Sequence, residues 1–140
     1  MTEARRVLFV CLHGAAKSVI AAHHLQRLAD QRGLALECSS AGLDPDEAVP
    51  AQVIAGLRED GIEPTLEAPR RVTPEILDHA DTIVSFGCDL STVGSPSGRV
   101  ITWEDVPHVS DGFPAARDEI MQRLKGLVAE IESAVPRSSG

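Results

Sequence analysis

Residues 7–22, VLFVCLHGAAKSVIAA, decide the fold. Leu8, Phe9 and Val10 form a short apolar run of strand formers, which predicts a buried strand ending at Cys11. Gly14, Ala15 and Ala16 follow, small enough for the backbone to turn tightly and to approach a ligand closely. Lys17 and Ser18 then open a helix, with Ser18 as its expected cap and Val19 to Ala29 as its continuation. A loop of this kind points successive N–H groups inward at the positive end of a helix, which makes Leu12, His13, Gly14, Ala15, Ala16, Lys17 and Ser18 a candidate oxyanion cradle. Cys11 sits at its rim, where the same field favours the nucleophilic thiolate. The alternative is a buried structural cysteine in an ordinary strand–loop–helix.

Outward from this stretch, the first helix is expected to run to about Gln31 on a stripe of Ala21, Leu25, Leu28 and Ala29, and to stop at Gly33. His23 and His24 lie on it as surface or packing residues. Leu34 to Ser39 reads as the second strand, with Cys38 buried in it as a small apolar residue and Ser39–Gly42 as the turn that leaves it. Pro50 starts a helix carrying Val53, Ile54 and Leu57 and ending at Gly61. Glu63 to Arg71 is an extended connection, where Arg70 and Arg71 are either anion contacts or solvated. Thr73–Pro74–Glu75 is a helix start. Strands over Thr82–Phe86 and Arg99–Trp103 follow, separated by the flexible GSPSG turn at 94–98. Glu104 to Gly112 is irregular. Ile120, Leu124, Leu127, Val128, Ile131 and Val135 then repeat at helical spacing, and 136–140 form a frayed tail. Strands alternating with helices predict one α/β domain, residues 1–135, with a parallel sheet covered on both faces.

The chain has 140 residues, 43% of them hydrophobic, which suffices for one core. No apolar run approaches the ~20 residues of a membrane span. The segment MTEARR leads straight into the first strand without a signal-peptide core. A net charge of -8 argues against nucleic acid and anionic membranes as partners, so an oxyanion must be attracted locally by the loop. Three cysteines and no signal predict a reducing cytoplasm with no disulfide framework. No Cys/His spacing suggests a metal site.

Cys11, five residues, Lys17 and then Ser18, directly after the first strand, resembles the signature loop of the low-molecular-weight protein tyrosine phosphatase superfamily, which includes the thiol-dependent arsenate reductases. Lys17 stands where that pattern has Arg. The resemblance implies a four-stranded flavodoxin-like sheet of order 2-1-3-4 with helices on both faces, and Cys11 as the nucleophile. It also implies that Cys11 and Cys88 emerge side by side, beyond the carboxyl ends of adjacent strands, where such sheets bind ligands. The phrase SFGCDLS around Cys88 is similar to the second-cysteine loop of actinobacterial-type reductases. Thioredoxin-coupled members carry a further cysteine where this chain has only Gly94 or Ser95.

The family's general acid is an Asp in a loop before the last helix. Asp105, two residues before Pro107, is the counterpart, and Asp111 is its competitor. Lys offers charge without the planar fork of Arg, which counts against in-line phosphoryl transfer more than against arsenate binding. The chain has no Tyr, so Phe86, Trp103 and Phe113 are the aromatic candidates near the acid loop. The expected activity is therefore arsenate reduction, with no bound cofactor and with thioredoxin or a small thiol as external reductant. The alternatives are phosphomonoester hydrolysis through a phosphocysteine, and a non-catalytic oxyanion-binding module.

Overall fold

β1 spans Arg5–Cys11 and is buried from Val7 onward on both faces, as befits an apolar run at the centre of a sheet. A computed structural model describes residues 4–64 and 67–134 of the chain. β1 pairs in parallel with β2 (Leu36–Gly42) on one side and with β3 (Thr82–Ser85) on the other. β4 (Arg99–Thr102) pairs with β3, which gives the order β2-β1-β3-β4 that the resemblance implies. Successive side chains of β1 point to opposite faces. Val7 and Phe9 enter the core with α1 (Lys17–Arg32), α2 (Ala51–Glu59) and α4 (Phe113–Ala134). Leu8 and Val10 enter the smaller core on the other face, with Leu77 of α3 (Pro74–His79), Val72 and Leu90. Phe9 lies 6.4 Å from the Phe86 ring and 6.0 Å from Trp103, an aromatic cluster behind the ends of β1 and β3.

Most local signals act as the sequence suggests. Gly33 ends α1 in the left-handed conformation, at φ 67°. The Thr73 side chain accepts the Ile76 N–H at the start of α3, with Pro74 in the first turn. Ile120, Leu124, Leu127, Val128 and Ile131 are buried along α4. Leu28 is only half-buried against the main core. Val135, the tail at 136–140, and Thr65 and Leu66 of the expected connection lie outside the described residues.

Two readings need correction. The second strand does not end at Ser39. Ser39, Ser40, Ala41 and Gly42 continue β2 in register with Leu8, Phe9, Val10 and Cys11. Small residues are used there because a loop backbone packs on them, not because the chain turns. Ser18 does not cap α1 either. Ala16 holds the cap position without a side-chain hydrogen bond, and Ser18 lies in the first turn, fully buried. Its hydroxyl has another partner, described below.

The helices meet at Asp60. His24 of α1 is 1% exposed, and its Nε2 lies 3.0 Å from Asp60 Oδ2. Arg117 of α4 pairs with the other carboxylate oxygen, and Arg27 donates to the Asp60 carbonyl. His24 Nδ1 is buried without a partner among the described residues. A neutral ring donating from Nε2 leaves only a lone pair unsatisfied there, whereas an imidazolium would strand an N–H. Burial accordingly lowers the His24 pKa despite the carboxylate.

Candidate active site

The backbone between β1 and α1 is fitted against β2 with no space to spare. Gly14 adopts φ 61°, and a Cβ there would meet Gly42 N at 2.6 Å and Ala41 C at 2.8 Å. A Cβ on Gly42 would meet Gly14 N at 2.5 Å. Both glycines are needed for one close approach. The chain after β2 then straps the loop from outside. Leu43 N donates to Cys11 O at 3.4 Å, Asp44 N to Leu12 O at 2.7 Å and Asp46 N to His13 O at 3.1 Å. His13 Nδ1 lies 2.9 Å from Asp44 O and 3.5 Å from Asp46 Oδ1, so its ring is part of the strap.

The carbonyls of Cys11, Leu12 and His13 are thus engaged by the strap. Among the described residues no N–H from Leu12 to Ser18 donates a hydrogen bond. No side chain among the described residues caps the helix that follows. A row of unsatisfied amides at a helix N-terminus beside a cysteine is suited to an anion. Cys11 is buried, and its Sγ lies 3.0 Å from Ser18 Oγ. A hydroxyl at that distance can donate to a thiolate. Lys17 is half-buried and pairs with no carboxylate among the described residues.

A cavity of about 530 Å³ opens over Cys11. Leu12, His13, Ala15, Ala16 and Lys17 form its floor, and Asp46, Pro50 and Gln52 one wall. Phe86 and the segment His108–Val109–Ser110 form the rest. Leu12 is 53% exposed at the mouth. Of the expected aromatic residues only Phe86 lines the cavity, held edge-on to Trp103 at 5.7 Å. Trp103 and Phe113 are core residues.

Cys88 lies two residues beyond Phe86, whose N–H donates to Val10 O at 2.9 Å and prolongs the β1–β3 pairing. Ser85 Oγ accepts the Cys88 N–H at 2.9 Å and donates to the Cys88 carbonyl at 3.0 Å, closing the turn. Burial and then the charge of Cys11 push the Cys88 thiol up, while Ser85 and Lys17 pull it down. Cys11, Lys17 and Cys88 therefore share one electrostatic neighbourhood. Cys38 does not belong to it. It is half-buried and pairs with Val7, four positions back from Cys11, or roughly 13 Å along the strand. Burial pushes its thiol up to about 12.

The expected acids are not in the cavity wall. Asp105 is exposed and in the left-handed region, at φ 63°. Asp111 ends a short 3-10 turn, Val109–Asp111, and is also exposed. His108, between them, lines the cavity. Sequence reasoning missed His108, Asp46, Gln52 and Gly42. Only Gly42 left a trace, as a glycine beside small residues after a strand.

The pattern of the family described as low molecular weight phosphotyrosine protein phosphatase matches residues 6–90. A Halobacterium salinarum protein with the provisional name arsenate reductase is 26% identical over 127 residues, covering 87% of this chain and 89% of its own. The structure of the Corynebacterium glutamicum thioredoxin-dependent arsenate reductase superposes with a TM-score of 0.82 at 26% identity over 96% of this chain. This chain spans 65% of that protein's length. The arsenate reductase structure from Archaeoglobus fulgidus is 31% identical, with a TM-score of 0.69, over 88% of this chain and 98% of that one. With this match, the parallel sheet and the cysteine-bearing loop between β1 and α1, the chain belongs to the low-molecular-weight phosphotyrosine protein phosphatase family.

Proposed function

We propose that this protein is a thiol-dependent arsenate reductase. Arsenate binds to the free amides of Leu12–Ser18 with Lys17 as the counter-charge. The Cys11 thiolate attacks arsenic, an S–As bond forms, and an As–O bond breaks with the oxygen leaving as water once protonated. The Cys88 thiolate then attacks the Cys11 sulfur. An S–S bond forms, the S–As electron pair goes to arsenic, and arsenite leaves. Two thiols are oxidised and As(V) becomes As(III). Thioredoxin or a small thiol, both at home in the expected cytoplasmic setting, returns the disulfide to thiols.

The observation that carries this reading is Cys88. It stands beyond the strand next to Cys11, within the field of Cys11 and Lys17, and hydrolysis has no use for it. An adjacent thiol also competes well with external ones, because its effective concentration is high. The named relatives add support. Lys17 fits the same reading, since a point charge holds an oxyanion without the fork that phosphoryl transfer exploits.

A second reading is phosphomonoester hydrolysis through a phosphocysteine. Its support is the cavity, which at about 530 Å³ exceeds what a bare oxyanion fills and is lined in part by the apolar Leu12, Phe86 and Val109. One assay separates the two. Arsenite release is measured with thioredoxin and with small thiols, and phosphate release from an aryl phosphate. Cys88→Ser should abolish arsenate turnover by the internal relay and leave aryl-phosphate hydrolysis nearly intact. Arsenate turnover absent with every thiol system would reject the reductase.

A further inference from the structure

We infer that His108 donates the proton to the oxygen that leaves the oxyanion as Cys11 attacks. This rests on the reading of Cys11 as the nucleophile, and it applies to both reactions above. An oxygen expelled from arsenic or phosphorus is a poor leaving group until it is protonated, so a donor must reach the cavity above Cys11. Residues 108–110 supply part of the cavity lining, and His108 is the titratable one of the three.

The flanking acids Asp105 and Asp111 are not among the residues that line the cavity. Trp103 and Val106 are buried, and the chain between them exposes Glu104 and Asp105. Val109 is buried next; Ser110 and Asp111 after it are exposed, as His108 is, but of these three only Asp111 is absent from the cavity lining. Buried Val106 and Val109 flank His108. Its φ and ψ are -69° and 138°, and its carbonyl accepts the Asp111 N–H at 3.0 Å. Its ring has no hydrogen bond or ion pair among the described residues, so it is free to meet a ligand.

The other charged side chains that line the cavity are His13, Asp46 and Lys17. His13 is bound to the strap at Asp44 and faces Asp46. Lys17 is the counter-charge, and Cys88, which is not part of the cavity lining, lies in the field of Cys11. The step balances simply. The S–As or S–P bond forms, the bond from that atom to the leaving oxygen breaks, and the proton passes from the His108 ring to that oxygen. Water or an alcohol departs, and the exposed ring recovers its proton from solvent.

The test uses His108→Gln and His108→Ala with two aryl phosphates. Phenyl phosphate needs a proton on its leaving oxygen, and 4-nitrophenyl phosphate hardly does. His108→Gln should lose about 100-fold in kcat on the first and only a few-fold on the second, and imidazole should restore part of the loss in His108→Ala. Arsenate reduction, whose leaving oxygen also needs a proton, should fall in His108→Gln as phenyl phosphate hydrolysis does. Independently, inorganic phosphate should shift the His108 ring signals in the NMR spectrum over the same concentrations at which it protects Cys11 from alkylation. Equal loss on both substrates, or no loss, overturns the proposal. So does an Asp105→Asn variant that shows the leaving-group dependence while His108→Gln keeps wild-type rates, or phosphate that protects Cys11 without moving the His108 signals. If phosphate does neither, the cradle reading fails and this inference with it.

Discussion

Replacing Gly42 by alanine would drive a methyl group into the backbone that carries Cys11. The new Cβ would stand 2.5 Å from Gly14 N, 2.6 Å from His13 C and 2.9 Å from Gly14 Cα. Ordinary contact begins near 3.4 Å, so something must retreat by about 0.9 Å. Gly42 cannot be what moves. Its N–H donates to Arg70 O at 2.9 Å, its carbonyl accepts from Val72 at 3.0 Å, and it pairs with Cys11 in the sheet. The loop must shift instead. Overpacking of this kind costs roughly 1–3 kcal/mol, or about 3–10 °C in Tm for a domain of this size. A displacement near 1 Å of positioned groups can cost on the order of 100-fold in rate. Thermal melting, together with iodoacetamide labelling of Cys11 under increasing phosphate, measures both effects. Gly42→Ala should melt lower and need at least about ten times more phosphate for protection. Gly126→Ala is the control. No described residue lies within 4 Å of its Cβ, and in a helix interior it should gain roughly 0.5–1 kcal/mol. Wild-type melting and wild-type phosphate protection in Gly42→Ala would refute the seating of the loop on β2.

Two further outcomes follow from the titratable groups. Alkylation at neutral pH should label Cys11 first and Cys38 last, because burial holds the Cys38 thiol at about 12, and peptide mapping that finds Cys38 first would contradict this. His24 makes stability depend on pH. Burial lowers its pKa, so the unfolded chain takes up a proton near its ordinary 6.5 that the folded protein refuses. Stability is therefore retained above that pH and lost as pH falls below it. The urea midpoint should drop between about pH 7.5 and 5.5, and His24→Gln should flatten the drop; an equal drop in the variant would rule His24 out as its source.

The features written in short contiguous patterns were legible in the chain. Leu8–Val10, the glycine-bearing turn and the α4 repeat are local signals, and each element they imply is present. The resemblance of one loop carried the strand order, which no local pattern encodes. What stayed hidden depends on contacts between distant segments. Ser39–Gly42 has the composition of a turn, and only its register with β1 and its contact with Gly14 make it a strand. Ser18 has the chemistry of a cap, yet the sulfur of Cys11 claims its hydroxyl. Asp105 and Asp111 are acids in the expected loop, but neither lines the cavity, whereas His108 between them does. Asp46 and Gln52 reach the site from either side of Pro50, a placement set by how the β2–α2 connection folds over the loop.

The most direct measurement is the covalent state of the three cysteines after one turnover. Reduced protein is mixed with a stoichiometric amount of arsenate without any external thiol, quenched in acid, alkylated, digested and mapped by mass spectrometry. A Cys11–Cys88 disulfide should appear with one equivalent of arsenite, Cys38 should remain free, and Cys88→Ser should yield neither disulfide nor arsenite. Arsenite release with Cys88 still free, a bridge to Cys38, or no reaction of Cys11 with arsenate would contradict the proposed relay.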